Sequence, residues 1–157
     1  MFRRILVPID GSSAAKRGLE EAILLAKDQA ARIGLLHVID ESMIVRSFDA
    51  TTFMPSNYID DLTKNMADGG RKLLGRAEEQ ARKAGAVVET TLVEARGRRV
   101  ADVIVAQAKK WKADVIVIGT HGREGLARVV LGSDAELVVR ESPVPVLLVR
   151  GRTRKRS

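Results

Sequence analysis

Asp114-Val-Ile-Val-Ile-Gly-Thr-His-Gly122 decides the fold: four apolar β-branched residues in a row, then two glycines three positions apart. A short unbroken apolar run of this kind predicts a strand buried on both faces, as found in parallel sheets covered by helices. The glycines after it predict bared backbone at the carboxyl end of that strand. Nine residues separate Gly122 from Gly132-Ser133, where a glycine and a hydroxyl residue open a helix. Exposed N–H groups at a helix N-terminus form an anion site, most often for phosphate.

The same reading extends in both directions. Ile5-Leu-Val-Pro-Ile9 is a second buried run, followed by Gly11-Ser12-Ser13 as turn and cap. Leu19, Ala22, Ile23, Ala26 and Ala30 then recur at helical spacing. Ile33 to Ile39 predicts the next strand, and Val87 to Val93 alternates as a strand nearer a sheet edge. Val100, Val103, Ile104, Ala108 and Trp111 mark a helix face, Leu137 to Val139 belongs to a short helix, and Val144 to Val149 is a fifth strand. Strand and helix alternate throughout, which predicts an α/β fold with a parallel sheet, helices on both faces and right-handed crossovers.

One helix is expected from about Ile59 to Lys83, with an apolar stripe through Leu62, Met66, Leu73, Ala77 and Ala81. Gly69-Gly70 interrupts it at roughly 1 kcal/mol per glycine relative to alanine, predicting a kink or a close packing contact. Glu41 to Asn57, which contains Pro55, is expected to be the one long irregular connector.

The 157 residues suffice for one domain with a substantial core, expected over 1–150, with 151–157 as a basic tail. No apolar run approaches the roughly 18 residues of a membrane span. The opening Met1-Phe-Arg-Arg-Ile-Leu-Val-Pro-Ile-Asp10 is broken by Pro8 and Asp10 and lacks a small-residue cleavage site, so it reads as a first strand and the protein as cytoplasmic. The absence of cysteine excludes disulfides and thiolate chemistry. Of the formal charge of +7, five cations (Arg150, Arg152, Arg154, Lys155 and Arg156) fall in the last eight residues, leaving +2 on the body. With three Phe, one Tyr and one Trp there is no stacking platform for single strands, so no specific nucleic acid is expected.

In an open parallel sheet, ligands sit beyond the carboxyl ends of the strands where the strand order reverses. Two strand ends carry suitable chemistry here: Pro8-Ile9-Asp10-Gly11-Ser12-Ser13 and Gly119-Thr120-His121-Gly122. If the first and fourth strands are neighbours, both loops converge on one crevice. Asp10 then either holds ribose hydroxyls or a Mg2+-bound phosphate, or caps the next helix. There is no G-x-x-x-x-G-K-[ST] and no G-x-G-x-x-G after the first strand, which excludes P-loop and nicotinamide chemistry. Phosphate charge is left to Mg2+, backbone N–H groups, or arginines such as Arg123 and Arg128. His37 is expected in the core. Ser12, Ser133, His121 and Asp10 lack the G-x-S-x-G setting of a hydrolase nucleophile. No His/Asp/Glu cluster has metal-ligand spacing.

The order of these features resembles the universal stress protein family. The resemblance runs from Ile5-Leu-Val-Pro-Ile-Asp10-Gly-Ser to Ser142-Pro-Val-Pro-Val-Leu-Leu-Val-Arg150, and its most specific part is G-x2-G-x9-G-[ST], filled by Gly119, Gly122, Gly132 and Ser133. It implies a Rossmann-like five-stranded parallel sheet of order 3-2-1-4-5, which sets the first and fourth strands side by side. It implies further that members keeping the glycine motif bind ATP, or a related adenine nucleotide, with Mg2+. Pro8, Ile9 and Asp10 would line adenine and ribose, and Val38 would contact the base. Ile118, Gly119, Gly122, Gly132, Ser133 and the backbone of Asp134 and Ala135 would hold ribose and phosphates. Val144 to Val149 is the expected seam of a homodimer.

Two departures stand out. Asp134 replaces a small or neutral residue and would repel phosphate by roughly 1 kcal/mol in solvent, or recruit Mg2+, or favour the helix dipole. Arg98-Arg99 stand where the family often has an acidic residue and proline, and offer phosphate charge only if their loop is near. Three functions compete: an ATP-binding stress-response regulator with slow or no hydrolysis, a Mg2+-dependent ATPase or nucleotidyl enzyme using Asp10, and a nucleotide-free dimeric interaction module.

Overall fold

Ile5, Leu6 and Val7 are all 1% exposed or less, as a strand with neighbours on both edges and helices on both faces must be. The computed structural model describes residues 1–48, 53–121 and 131–151. Its elements are β1 (Arg4–Pro8), α1 (Ser13–Gln29), β2 (Arg32–Ile39), α2 (Ser42–Arg46), α3 (Ser56–Lys83), β3 (Val87–Glu94), α4 (Val100–Trp111), β4 (Val115–Gly119), α5 (Ser133–Glu141) and β5 (Val146–Val149). The sheet has the order β3-β2-β1-β4-β5 and every pairing is parallel. Ile5 is level with Ile33 of β2 on one side and with Val115 of β4 on the other.

The period of two in a strand divides the core into two layers. Ile5, Val7 and Ile9 join Leu19, Ala22 and Ile23 of α1 and Leu74 and Ala77 of α3. Leu6 and Leu36 face the other way, with Ala101 and Ile104 of α4 and Ala135 and Val138 of α5. Each large aliphatic side chain so buried contributes about 1.5–3 kcal/mol. Ser12 caps α1 by accepting the Ala15 N–H at 3.1 Å.

Three expectations shift. α3 begins at Ser56, three residues before Ile59, and continues without a break through Gly69-Gly70. Gly70 is buried against β2: a Cβ there would stand 2.6 Å from His37 Cδ2, so the glycine serves a close helix–sheet contact. The connector from Glu41 to Asn57 is not wholly irregular, because it contains α2, and its Phe48 makes a T-shaped contact with Tyr58 of α3. Its helix has five residues and no side-chain cap, below the length at which periodicity can be read. The fifth strand starts at Val146; Val144 and Pro145 precede it, although the Pro145 carbonyl already accepts the Ile116 N–H at 3.0 Å.

Candidate functional site in the β1–β4 crevice

β1 and β4 are neighbours, and the chain leaves them toward opposite faces, into the α1 and α5 layers. Their carboxyl ends therefore flank the place where the strand order reverses. A bond joins the two loops there: the Ser12 hydroxyl donates to the His121 carbonyl at 3.3 Å. The Asp10 carboxylate accepts the Ser12 N–H at 2.9 Å and so shapes the same turn. Because the Ser12 hydroxyl donates to a carbonyl, it is not set against an imidazole as an activated nucleophile would be.

One wall of the crevice is apolar. Val38, Ile118 and Ala135 lie in the α4–α5 layer, and Pro8, two residues on from Leu6, shares their side of β1. The Ile9 side chain lies in the α1–α3 layer, its N–H donates to the Leu36 carbonyl at 2.8 Å, and its carbonyl meets His37 Nδ1 at 2.7 Å. A carbonyl only accepts, so His37 carries its proton on Nδ1. Gly119 is closed on one side, where a Cβ would come within 2.8 Å of both Ala14 Cβ and Ala15 N in α1. Any ligand beside Gly119 must approach from the α5 side.

α5 points its N-terminus at this place. Gly132 is the N-cap, supplies no side-chain cap, and donates its own N–H to the Thr120 carbonyl at 2.7 Å. The first-turn N–H groups of Ser133, Asp134 and Ala135 then precede the first i→i−4 bond, from Glu136 to the Gly132 carbonyl at 2.9 Å. Thr120 is 8% exposed and its Oγ1 makes no hydrogen bond among the described residues. Ser133 is exposed. Gly122, Arg123 and Arg128 lie outside the described residues.

The charge of the crevice is negative on the protein side. Asp134 is exposed as a residue, yet burial of its carboxyl pushes its pKa up, and the nearby carboxylates of Asp40 and Asp10 push it further, with Arg46 opposing. Asp40 and Arg46 had no signal in the sequence, since an acid after a strand and an arginine in a short helix are ordinary surface residues. Among the described residues no group of three His, Cys, Asp or Glu is arranged to hold a metal ion. Arg99 is not in the crevice: it pairs with Asp102 at 2.7 Å and Glu141 at 3.1 Å, which raises its pKa, and ties α4 to the end of α5. Arg98 faces the other layer, beside Arg71 of α3.

No helix among the described residues is long and apolar enough to cross a membrane. The chain is 36% identical to universal stress protein YxiE of Bacillus subtilis, over 96% of this chain and all of that one. The solved structure of the Methanocaldococcus jannaschii protein MJ0577 superposes with a TM-score of 0.83 at 26% identity, covering 98% of this chain and 99% of the other. An Archaeoglobus fulgidus universal stress protein solved in complex with dAMP superposes with a TM-score of 0.66 at 26% identity, covering 94% and 97% of the two chains. The pattern of the universal stress protein family matches residues 1–150. Glycine motif, strand order and whole-length likeness thus agree, and the chain belongs to the universal stress protein family.

Proposed function

We propose that the β1–β4 crevice binds an adenine nucleotide, ATP with Mg2+, and that the protein works as a cytoplasmic stress-response regulator whose nucleotide state is sensed by partners. The observation that supports this best is the Ser12–His121 bond, which closes the two loops beside the uncapped first turn of α5. Backbone N–H groups so placed suit phosphate, while Pro8, Val38 and Ile118 offer an apolar wall to a base. Thr120 Oγ1, which has no hydrogen-bond partner among the described residues, supplies a hydroxyl at the same strand end. The dAMP complex of the Archaeoglobus fulgidus relative supports the adenine part of the reading.

Asp10, Asp40 and Asp134 surround the phosphate end with negative charge, so a triphosphate needs Mg2+ to neutralise it. Asp10 is the residue to meet such a Mg2+-bound phosphate. Among the described residues no activated nucleophile accompanies these groups, and we read hydrolysis as slow or absent. The exposed edge of β5 supports a homodimer through Val144 to Val149.

Calorimetric titration of nucleotide-stripped protein with ATP, with and without Mg2+, tests the reading beside Gly122→Val. Saturable binding that the substitution abolishes is expected. Absence of binding at millimolar ATP would leave the glycines as turn residues and the protein as an interaction module. Turnover above background that Asp10→Ala removes would make it an enzyme instead.

A further inference from the structure

Away from the β1–β4 crevice, the seam between α3 and β3 holds a cavity of about 440 Å3, a size within the ~300–1,000 Å3 of small-molecule sites. Its floor is apolar, made by Ile39 of β2, Ala67 of α3 and Leu92 of β3. Its wall presents three guanidinium groups, Arg71, Arg96 and Arg98, against the single carboxylate of Glu94. A second hollow of about 230 Å3 continues along α3, sharing Ala67, Arg71 and Glu94 and adding Lys64 and Asp68.

These charges do not cancel. Arg71 pairs with Asp68 at 2.9 Å and Arg96 with Glu94 at 3.4 Å. Arg98 has no ion pair among the described residues; its Nε donates to the Ala95 carbonyl at 3.0 Å and an Nη to the Glu94 carbonyl at 3.3 Å. Two carbonyls orient the guanidinium, Asp102 feels its charge without pairing with it, and its remaining N–H groups have no partner among the described residues. Lys64 is likewise without an ion pair among the described residues.

The turn that carries the arginines is fixed in place. Ala95 N–H donates to the Ile39 carbonyl at 2.8 Å, and Arg96 N–H to the Glu41 carboxylate at 3.0 Å. Arg96 holds φ at +51°, a left-handed conformation that is unfavourable for a residue with a Cβ. Ala30 and Lys112, the other non-glycine residues with positive φ, end helices, where that conformation is usual. Arg96 ends none. Arg96 and Gly97, at φ +51° and +81°, form the turn that the Arg98 N–H closes on the Ala95 carbonyl at 3.1 Å, and this turn sets Arg96 and Arg98 side by side at the cavity.

We propose that the α3–β3 cavity is a second ligand site, for a small amphipathic organic anion. The apolar body lies on Ile39, Ala67 and Leu92, and a carboxylate or phosphate head is held by Arg98 with Arg96 and Arg71. Guanidinium forks match both oxyanions in geometry. None of these residues belongs to the nucleotide crevice, so the two sites stand or fall separately.

The test is amide NMR of the labelled full chain, titrated with octanoate and with octyl phosphate, and with 1-octanol and inorganic phosphate as controls. Either anion is expected to give saturable shifts at Ala67, Leu92, Val93 and Gly97. The two controls, each lacking one half of the chemistry, bind at least about tenfold more weakly. Arg98→Gln, at an exposed position that leaves folding intact, weakens the anions by at least about tenfold and leaves octanol unchanged. The tighter of the two anions identifies the preferred head group. Shifts that do not saturate, that octanol reproduces, that survive Arg98→Gln, or that map to Gly119 and Ser133 would overturn the proposal.

Discussion

Gly119 at the end of β4 and Ala14 in the first turn of α1 are packed so closely that a Cβ at 119 would stand 2.8 Å from the Ala14 Cβ and 2.7 Å from its carbonyl carbon. Gly151 comes up to the same turn, where its Cβ would lie 3.1 Å from Ser13 Oγ. The first glycine of the motif therefore has a packing duty that needs no ligand. Gly119→Ala is expected to cost about 1–3 kcal/mol, the range for overpacking a closed contact. Urea unfolding measures it in the nucleotide-free protein. A variant as stable as the parent would mean that α1 does not rest on β4 in this way.

Within α3, adjacent glycines have opposite expected effects. A Cβ at Gly70 would meet His37 Cδ2 at 2.6 Å, and that ring is held by its bond to the Ile9 carbonyl. Gly70→Ala should destabilise by about 1–3 kcal/mol. Gly69 and Gly75 have open space where their Cβ atoms would be, so Gly69→Ala and Gly75→Ala should each stabilise by roughly 1 kcal/mol through helix propensity. Denaturation midpoints that move in the same direction for positions 69 and 70 would contradict the packing of His37 against α3.

What the sequence revealed and what it hid differ by the kind of interaction. Ile5 to Val7 and Val115 to Ile118 were legible because burial on both faces leaves an unbroken apolar run. The strand order came from the family resemblance; alternation alone leaves it open. The Ser12–His121 bond was hidden, since its acceptor is a backbone carbonyl that any residue could supply. Ile9 reads as a lining residue beside Pro8 and Asp10; strand alternation sends its side chain into the α1–α3 layer, so its part in lining the crevice falls to its backbone. Arg98 and Arg99 read alike in sequence. One turn of backbone sends Arg99 to Asp102 and Glu141 and Arg98 to the α3 side.

Asp134 makes stability depend on pH with a definite sign. Its pKa is raised in the folded protein by burial and by Asp40 and Asp10, so the folded state holds the proton to higher pH than the unfolded chain. Below the ordinary Asp value of about 3.9 both states are protonated and nothing is lost. As pH rises from there to the raised value, the unfolded chain ionises first and stability falls; above it the penalty is constant. Asp134→Asn should raise the melting temperature at pH 7 and leave it unchanged at pH 3. The same change should tighten Mg2+-free ATP by a few-fold, about 1 kcal/mol of solvent-screened repulsion. Equal stabilisation at both pH values would exclude the like-charge account.

Among the described residues β5 is paired only with β4 and forms one edge of the sheet. Leu147 is 42% and Leu148 38% exposed, so apolar surface accompanies the unpaired backbone. An apolar edge of this kind is a template for another strand unless something covers it. A second copy of β5 across a two-fold axis would cover both edges at once. If it does, each leucine it buries contributes about 1.5–3 kcal/mol to association, which corresponds to roughly a tenfold to hundredfold change in Kd. Leu147→Lys should therefore shift the protein from dimer to monomer at micromolar concentration in light scattering. It should leave monomer stability within about 0.5 kcal/mol, because the side chain is already exposed in one chain. Wild-type protein that is monomeric throughout, or a Leu147→Lys dimer of undiminished affinity, would remove β5 from the interface.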